Sequence, residues 1–170
     1  GCQNTAVGMS ALCANTTGDN NIAIGRLALR ENTTANDNTA VGFCALNKNT
    51  TGCENVAVGT EAMHTGTTAC RSVAVGYKAL RSVQTGTNNV GVGFCSLNAI
   101  TTGAANTALG DIALLSTTTA SSNTAVGGSS LLANTTGANN TAVGMNALAD
   151  NTTASNNIGV GFCALHKNTT

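Results

Sequence analysis

Glycine returns every seventeenth residue without a miss, at Gly8, Gly25, Gly42, Gly59, Gly76, Gly93, Gly110, Gly127, Gly144 and Gly161. Residues 1–170 are therefore ten copies of one 17-residue unit. A copy this short cannot bury an apolar face alone, so the chain must be a solenoid in which each unit is stable only against its neighbours. Places one to seventeen are counted from Gly1. The consensus is Gly/Ala at place one, Asn at four, Thr/Val/Ile at five, Ala/Gly at six, an aliphatic at seven and Gly at eight. Ala/Ser follows at eleven, Leu/Met at twelve, and the unit closes on Asn-Thr-Thr or a relative of it. Gly1 begins a unit and Thr170 closes one, so the chain reads as a single repetitive segment, 1–170, of a longer fibrous protein.

Secondary structure follows from what fills the unit. A helical hairpin repeat needs ~34 residues and long amphipathic stretches. Here Gly, Asn and Thr interrupt every such stretch, and β-branched residues hold places five and seven in every copy except for Leu109. The fold class is all-β, a parallel β-solenoid or β-roll of ten coils. Two short strands per coil are expected, one at places four to eight (Asn4 to Gly8) and one at places ten to thirteen (Ser10 to Cys13), with Asn-Thr-Thr-Gly turning into the next coil. In-register stacking at ~4.8 Å per coil gives a stack roughly 48 Å tall.

Side chains alternate faces along a strand, so places five and seven share one face while six and eight share the other. Neither face drifts toward charged residues. The reading favoured by that restriction puts Thr5/Val7, Ile22/Ile24 and Val56/Val58 in the core with Leu12, Leu29 and Leu46. The small columns, Ala6, Gly8, Ala40, Gly42, Ala142 and Gly144 among them, then become surfaces for close packing of another chain. The alternative is that Ala and Gly fill a very narrow lumen within one chain.

Composition limits the partners. Charged residues are 8%, aromatics 2%, and the formal net charge is zero. That leaves no basic stripe for nucleic acid and no polybasic patch for an anionic membrane. No apolar run approaches the ~18 residues of a membrane span, so membrane insertion is not expected in this segment.

The run Ser72-Val73-Ala74-Val75-Gly76-Tyr77-Lys78-Ala79-Leu80, with equivalents such as Asn140-Thr141-Ala142-Val143-Gly144-Met145-Asn146-Ala147-Leu148, resembles the head repeats of trimeric autotransporter adhesins and the related haemagglutinin repeats. Similar Asn-Thr-Ala-Val-Gly repeats occur in tail-fibre-like proteins. The resemblance spans the whole chain. It implies a left-handed parallel β-roll, three chains wide, on an extracellular fibre. The unit departs from that family in its longer turn and in its cysteines.

The turn carries the sequence's strongest modification signal. Asn15, Asn32, Asn49, Asn134, Asn151 and Asn168 each open an Asn-Thr-Thr sequon at one place of the coil, and Asn139 opens another. In a eukaryotic secretory pathway, N-glycans at these residues would form a row along the fibre. The competing reading makes the same residues hydrogen-bonded ladders, since Asn and Thr suit turns and stacked amides pair. Thr at place seventeen in all ten copies and Asn at place four in all but one, Ser72, favour a ladder beneath any decoration.

Of seven cysteines, Cys53 and Cys70 hold the same place in successive coils, inside the ~4.4–6.8 Å Cα window for a disulfide. Cys44, Cys95 and Cys163 each follow Phe at another place and read as small buried hydrophobes. An oxidising exterior suits the odd total. His64 and His166 share place thirteen six coils apart, and no paired carboxylates converge, so no enzyme, metal site or cofactor is expected.

These readings converge on a structural protein: an extracellular fibre or filament shaft built by coil stacking and lateral, trimeric self-association, with N-glycans as a possible coat. An adhesin head or viral tail-fibre repeat is the alternative. An ice-binding solenoid ranks third, because the threonine columns at places sixteen and seventeen are adjacent and must point in different directions.

Overall fold

The computed structural model describes residues 1–169; Thr170, the last member of the closing threonine column, lies outside the described residues. Ten three-residue strands follow one another: β1 (Thr5–Val7), β2 (Ile22–Ile24), β3 (Thr39–Val41), β4 (Val56–Val58), β5 (Val73–Val75), β6 (Val90–Val92), β7 (Thr107–Leu109), β8 (Thr124–Val126), β9 (Thr141–Val143) and β10 (Ile158–Val160). They form one parallel sheet in sequence order. Each residue pairs with its equivalent in the next copy, as Val56 with Val73 and Ala57 with Ala74. The chain is a parallel β-solenoid, and no helix occurs among the described residues.

Only one strand forms per coil. The expected second strand at places ten to thirteen is instead a pair of tight turns. In coil three, Ala45 N–H donates to Gly42 O at 3.4 Å and Asn49 N–H donates to Leu46 O at 3.2 Å. The backbone there alternates into the left-handed region at Cys44 (φ 55°) and Leu46 (φ 48°), and the equivalents Lys78 and Leu80 do the same. A pleated strand cannot contain such residues. Cross-coil bonds nevertheless continue: Leu46 N–H donates to Ala62 O and Cys44 N–H to Arg26 O, each at 3.0 Å. A left-handed Leu costs about 1–2 kcal/mol. Burying its side chain offsets that by about 2 kcal/mol.

The faces of the strand are the reverse of the favoured expectation. Place six points inward, and Ala23, Ala40, Ala57, Ala74 and Ala142 are fully buried within the single chain. Places five and seven point outward. The reason is volume: Leu29, Leu46, Leu80 and their equivalents at place twelve, buried in every coil but the last, already occupy the interior beside the strand, leaving room for a methyl group. Ala40 and Ala142 are thus lumen residues and not a chain-to-chain surface, and Ala6 belongs to the same column at an open end of the stack. Gly8, Gly42 and Gly144 serve close approach too, but of the next coil of the same chain. A Cβ on Gly42 would stand 2.5 Å from Gly59 O, at a φ of +136°. The narrow-lumen alternative describes this molecule.

Two amide ladders complete the interior. In the place-four column, Asn106 Oδ1 accepts from Asn123 N–H at 3.0 Å and from Asn123 Nδ2 at 3.2 Å, while Asn106 Nδ2 donates to Asn89 Oδ1 and to Ala120 O. The place-fifteen column repeats the device beside it, the two columns sharing acceptors as Asn38 and Asn49 share Gly52 O: Asn49 Nδ2 donates to Asn32 Oδ1 at 3.0 Å and Asn151 Nδ2 to Asn134 Oδ1 at 2.9 Å. Buried place-one carbonyls such as Ala35 O, Gly52 O and Gly137 O so gain donors, as buried backbone requires.

Candidate functional site

The sequons lie in that second ladder. Asn32, Asn49, Asn134 and Asn151 are 0% exposed. The Nδ2 atom that would carry a glycan is committed inward, donating for example to Gly52 O from Asn49 at 2.8 Å and to Gly137 O from Asn134 at 2.9 Å. Asn15 and Asn168 hold the same column and are half-buried at its ends. The four buried amides form the hydrogen-bonded ladder that the second reading of the turn expects. Asn139, at place three, is exposed. If the chain is expressed through a eukaryotic secretory pathway, glycopeptide mass spectrometry of the folded, protease-resistant fraction should find sugar at Asn139 and none at Asn32, Asn49, Asn134 or Asn151. Occupancy of those four in folded material would contradict the buried ladder.

The threonines divide by place. At place sixteen the hydroxyl donates to the next coil's carbonyl, as Thr50 Oγ1 to Thr67 O at 3.0 Å and Thr135 Oγ1 to Thr152 O at 3.0 Å. Those hydroxyl protons are used within the fold. At place seventeen, Thr34, Thr51, Thr68 and Thr102 are exposed.

The outer surface has one apolar stripe. The exposed large hydrophobics are Val7, Met9, Ile22, Ile24, Phe43, Tyr77, Phe94, Leu109, Val143, Met145, Ile158, Val160, Phe162 and Leu165, and every one except Leu165 stands at place five, seven or nine. Phe43, Tyr77 and Phe94 look scattered along the sequence, yet place nine continues the outward parity of places five and seven. That i, i+2, i+4 spacing was the signal available. Tyr77 and Phe94 stack at 5.2 Å between centroids, and Arg26 and Lys78 lie over the rings of Phe43 and Tyr77.

Charge concentrates in coils two to five. Glu61 accepts from Arg81 Nε at 2.8 Å and lies 3.9 Å from Lys78 Nζ. The Arg81 hydrogen bond holds the Glu61 carboxyl below its ordinary range. Nearby His64 has its pKa lowered, chiefly by burial and then by Arg81, and its Nδ1 is buried without a partner. Asn49 Oδ1 is likewise buried and unpartnered, because the next residue of its column is Gly66, which has no amide to donate. Beside these, Lys48, Thr65, Thr67, Ser82, Gln84 and Thr101 line an open polar groove of about 430 Å³. No group of three His, Cys, Asp or Glu able to hold a metal occurs among the described residues.

All seven cysteines are thiols. Cys53 and Cys70 are brought together, Sγ to Sγ, at 3.2 Å. Cys44 is buried at the left-handed corner, whereas Cys95 and Cys163 in the same column are only half-buried. Burial pushes the Cys44 and Cys95 thiols up. Cys2 and Cys13 are exposed.

The chain matches no protein-family model, no curated protein and no solved structure.

Proposed function

We propose that this chain is a structural protein: a shaft element of an extracellular fibre, extended by coil stacking and thickened by lateral association of copies of itself. The observation that carries this reading is the placement of the exposed large hydrophobics on one outward stripe at places five, seven and nine. A continuous apolar patch of this kind marks an interaction surface. At places five and seven its residues are β-branched and rigid apart from Leu109, and its pitch is the coil spacing, so a second copy meets it rung for rung. Association therefore runs through Val and Ile rather than through the Ala and Gly columns. A three-chain cross-section and a left-handed coil are what the resemblance to adhesin head repeats adds to the proposal.

Sedimentation velocity tests it. The wild-type chain is expected to sediment as an assembly at micromolar concentration, and the double variant Val58→Lys, Val75→Lys to sediment as a monomer with an unchanged circular dichroism spectrum. A monomeric wild type at tens of micromolar would end the reading. The polar groove around Lys48 and Gln84 favours one second reading, an adhesin head that holds a surface ligand there. In that case retention of the chain on its target surface follows Lys48→Ala and is indifferent to the two lysine substitutions on the stripe.

A further inference from the structure

Coil five, residues 69–85, is the one copy with neither ladder asparagine: Ser72 stands at place four and Val83 at place fifteen. Ser72 still donates its N–H to Asn55 Oδ1 at 3.0 Å and accepts from Asn89 N–H at 3.2 Å through Oγ. No amide-to-amide rung joins it to coil four, although Asn55 Nδ2 reaches Ala69 O at 2.7 Å. On that same joint stand the Glu61 contacts to Lys78 and Arg81, and the thiol pair. Cys53 N–H donates to Cys70 Sγ at 3.0 Å, the two sulfurs lie 3.2 Å apart, and both residues are half-buried at the surface, open to a small reagent. Both joints of coil five lack an amide-to-amide rung, and the one toward coil four also holds two facing thiols.

We propose that Cys53 and Cys70 are an oxidation site, a dithiol that closes to an intrachain disulfide and fastens coil four to coil five. The oxidant class is a low-molecular-weight disulfide such as oxidised glutathione. One cysteine thiolate attacks it, forming a mixed disulfide and releasing one glutathione thiolate. The second cysteine thiolate then displaces the other glutathione. Two protein thiols are oxidised, one external disulfide is reduced to two thiols, and the two protons lost by the cysteines end on glutathione. Whichever sulfur begins, Cys53 must lose its proton, and its thiol is pushed up to about 11 by the hydrogen bond with Cys70 and by burial. Closure is therefore slow at neutral pH and quickens as pH rises.

The test equilibrates the whole chain with oxidised and reduced glutathione, blocks residual thiols, and maps the peptides by mass spectrometry. A Cys53–Cys70 linked peptide, lighter by two hydrogens than the reduced pair, is the expected product. Amide exchange across 69–85 is expected to slow on the order of 100-fold in the oxidised chain, the scale of a closed loop of this length. Cys53→Ser should keep the circular dichroism spectrum and lose the redox difference in exchange. Glutathione adducts without the link, links confined to other cysteines, or equal exchange rates in both states would each overturn the proposal.

Discussion

Gly76→Ala is expected to break the stack at coil five, at a cost on the order of 4 kcal/mol. Two independent effects add there. Gly76 has a φ of +133°, in a region that L side chains rarely adopt, which alone costs about 1–3 kcal/mol. Its Cβ would also stand 2.4 Å from Gly93 O, a backbone atom of the next coil. That oxygen cannot swing aside as a flexible side chain can, so the two coils must part and weaken the ladder bonds beside them, such as Gly76 N–H to Val58 O at 2.8 Å. Urea unfolding followed by circular dichroism measures the loss. Gly128→Ala is the internal control: its Cβ would meet nothing closer than Asp111 O at 3.9 Å, and the change should stay within about 0.5 kcal/mol. Equal stability of the two variants would mean that the coils are not stacked in this register.

Asn106→Ala is expected to cost a similar amount, about 3–5 kcal/mol, through a different cause. The substitution removes one amide and strands several groups at once. Asn123 N–H and Nδ2 lose their acceptor, Oδ1 of Asn106, and Asn89 Oδ1 and Ala120 O lose a donor. Asn89, Asn106 and Asn123 are fully buried, so water cannot replace what is lost. A buried polar group left without a partner costs about 1–3 kcal/mol, which is why the total exceeds an ordinary surface change severalfold. Asn106→Ser should cost less than Asn106→Ala, because Ser72 shows how a hydroxyl keeps the backbone rung, accepting Asn89 N–H at 3.2 Å. Ranking wild type, Ser and Ala by unfolding midpoint checks both the sign and the order. An Ala variant as stable as the Ser variant would remove the ladder from the account of stability.

The repeat length, the β class, the parallel register and the strand at places five to seven were legible because each is written as a period or an alternation. The parity of that strand was not. Alternation says that Val73 and Val75 share one side and Ala74 the other, but it does not say which side is inside when neither is charged. The answer depended on Leu80, five residues after Val75, which bends inward through a turn and fills the space a valine would need. That turn was itself hidden. Left-handed residues are normally announced by Gly or Asn, and here Leu46, Met63 and Leu80 adopt the conformation because the lumen rewards their burial. The Asn-Thr-Thr turn had two readings in the sequence, a modification signal and a ladder, and only the inward direction of Asn134 Nδ2 separates them. The stacked pair Tyr77 and Phe94 was missed as a cluster because place nine lies beyond the strand, where parity was not followed.

Register has a consequence for heredity. Each joint repeats the same pairing, Thr107 with Thr124 and Thr124 with Thr141, so a recombination event that duplicates or excises a whole unit leaves flanking coils that meet as before. Only the length of the shaft changes. An insertion of any other size displaces every column downstream of it. Coil five is the unit on which such an event has a second effect: excising residues 69–85 sets Asn55 against Asn89 and heals the place-four ladder, while discarding Arg81, Lys78 and Cys70 from the joint. Shortening the gene there exchanges an ion-paired, thiol-bearing joint for an ordinary amide one.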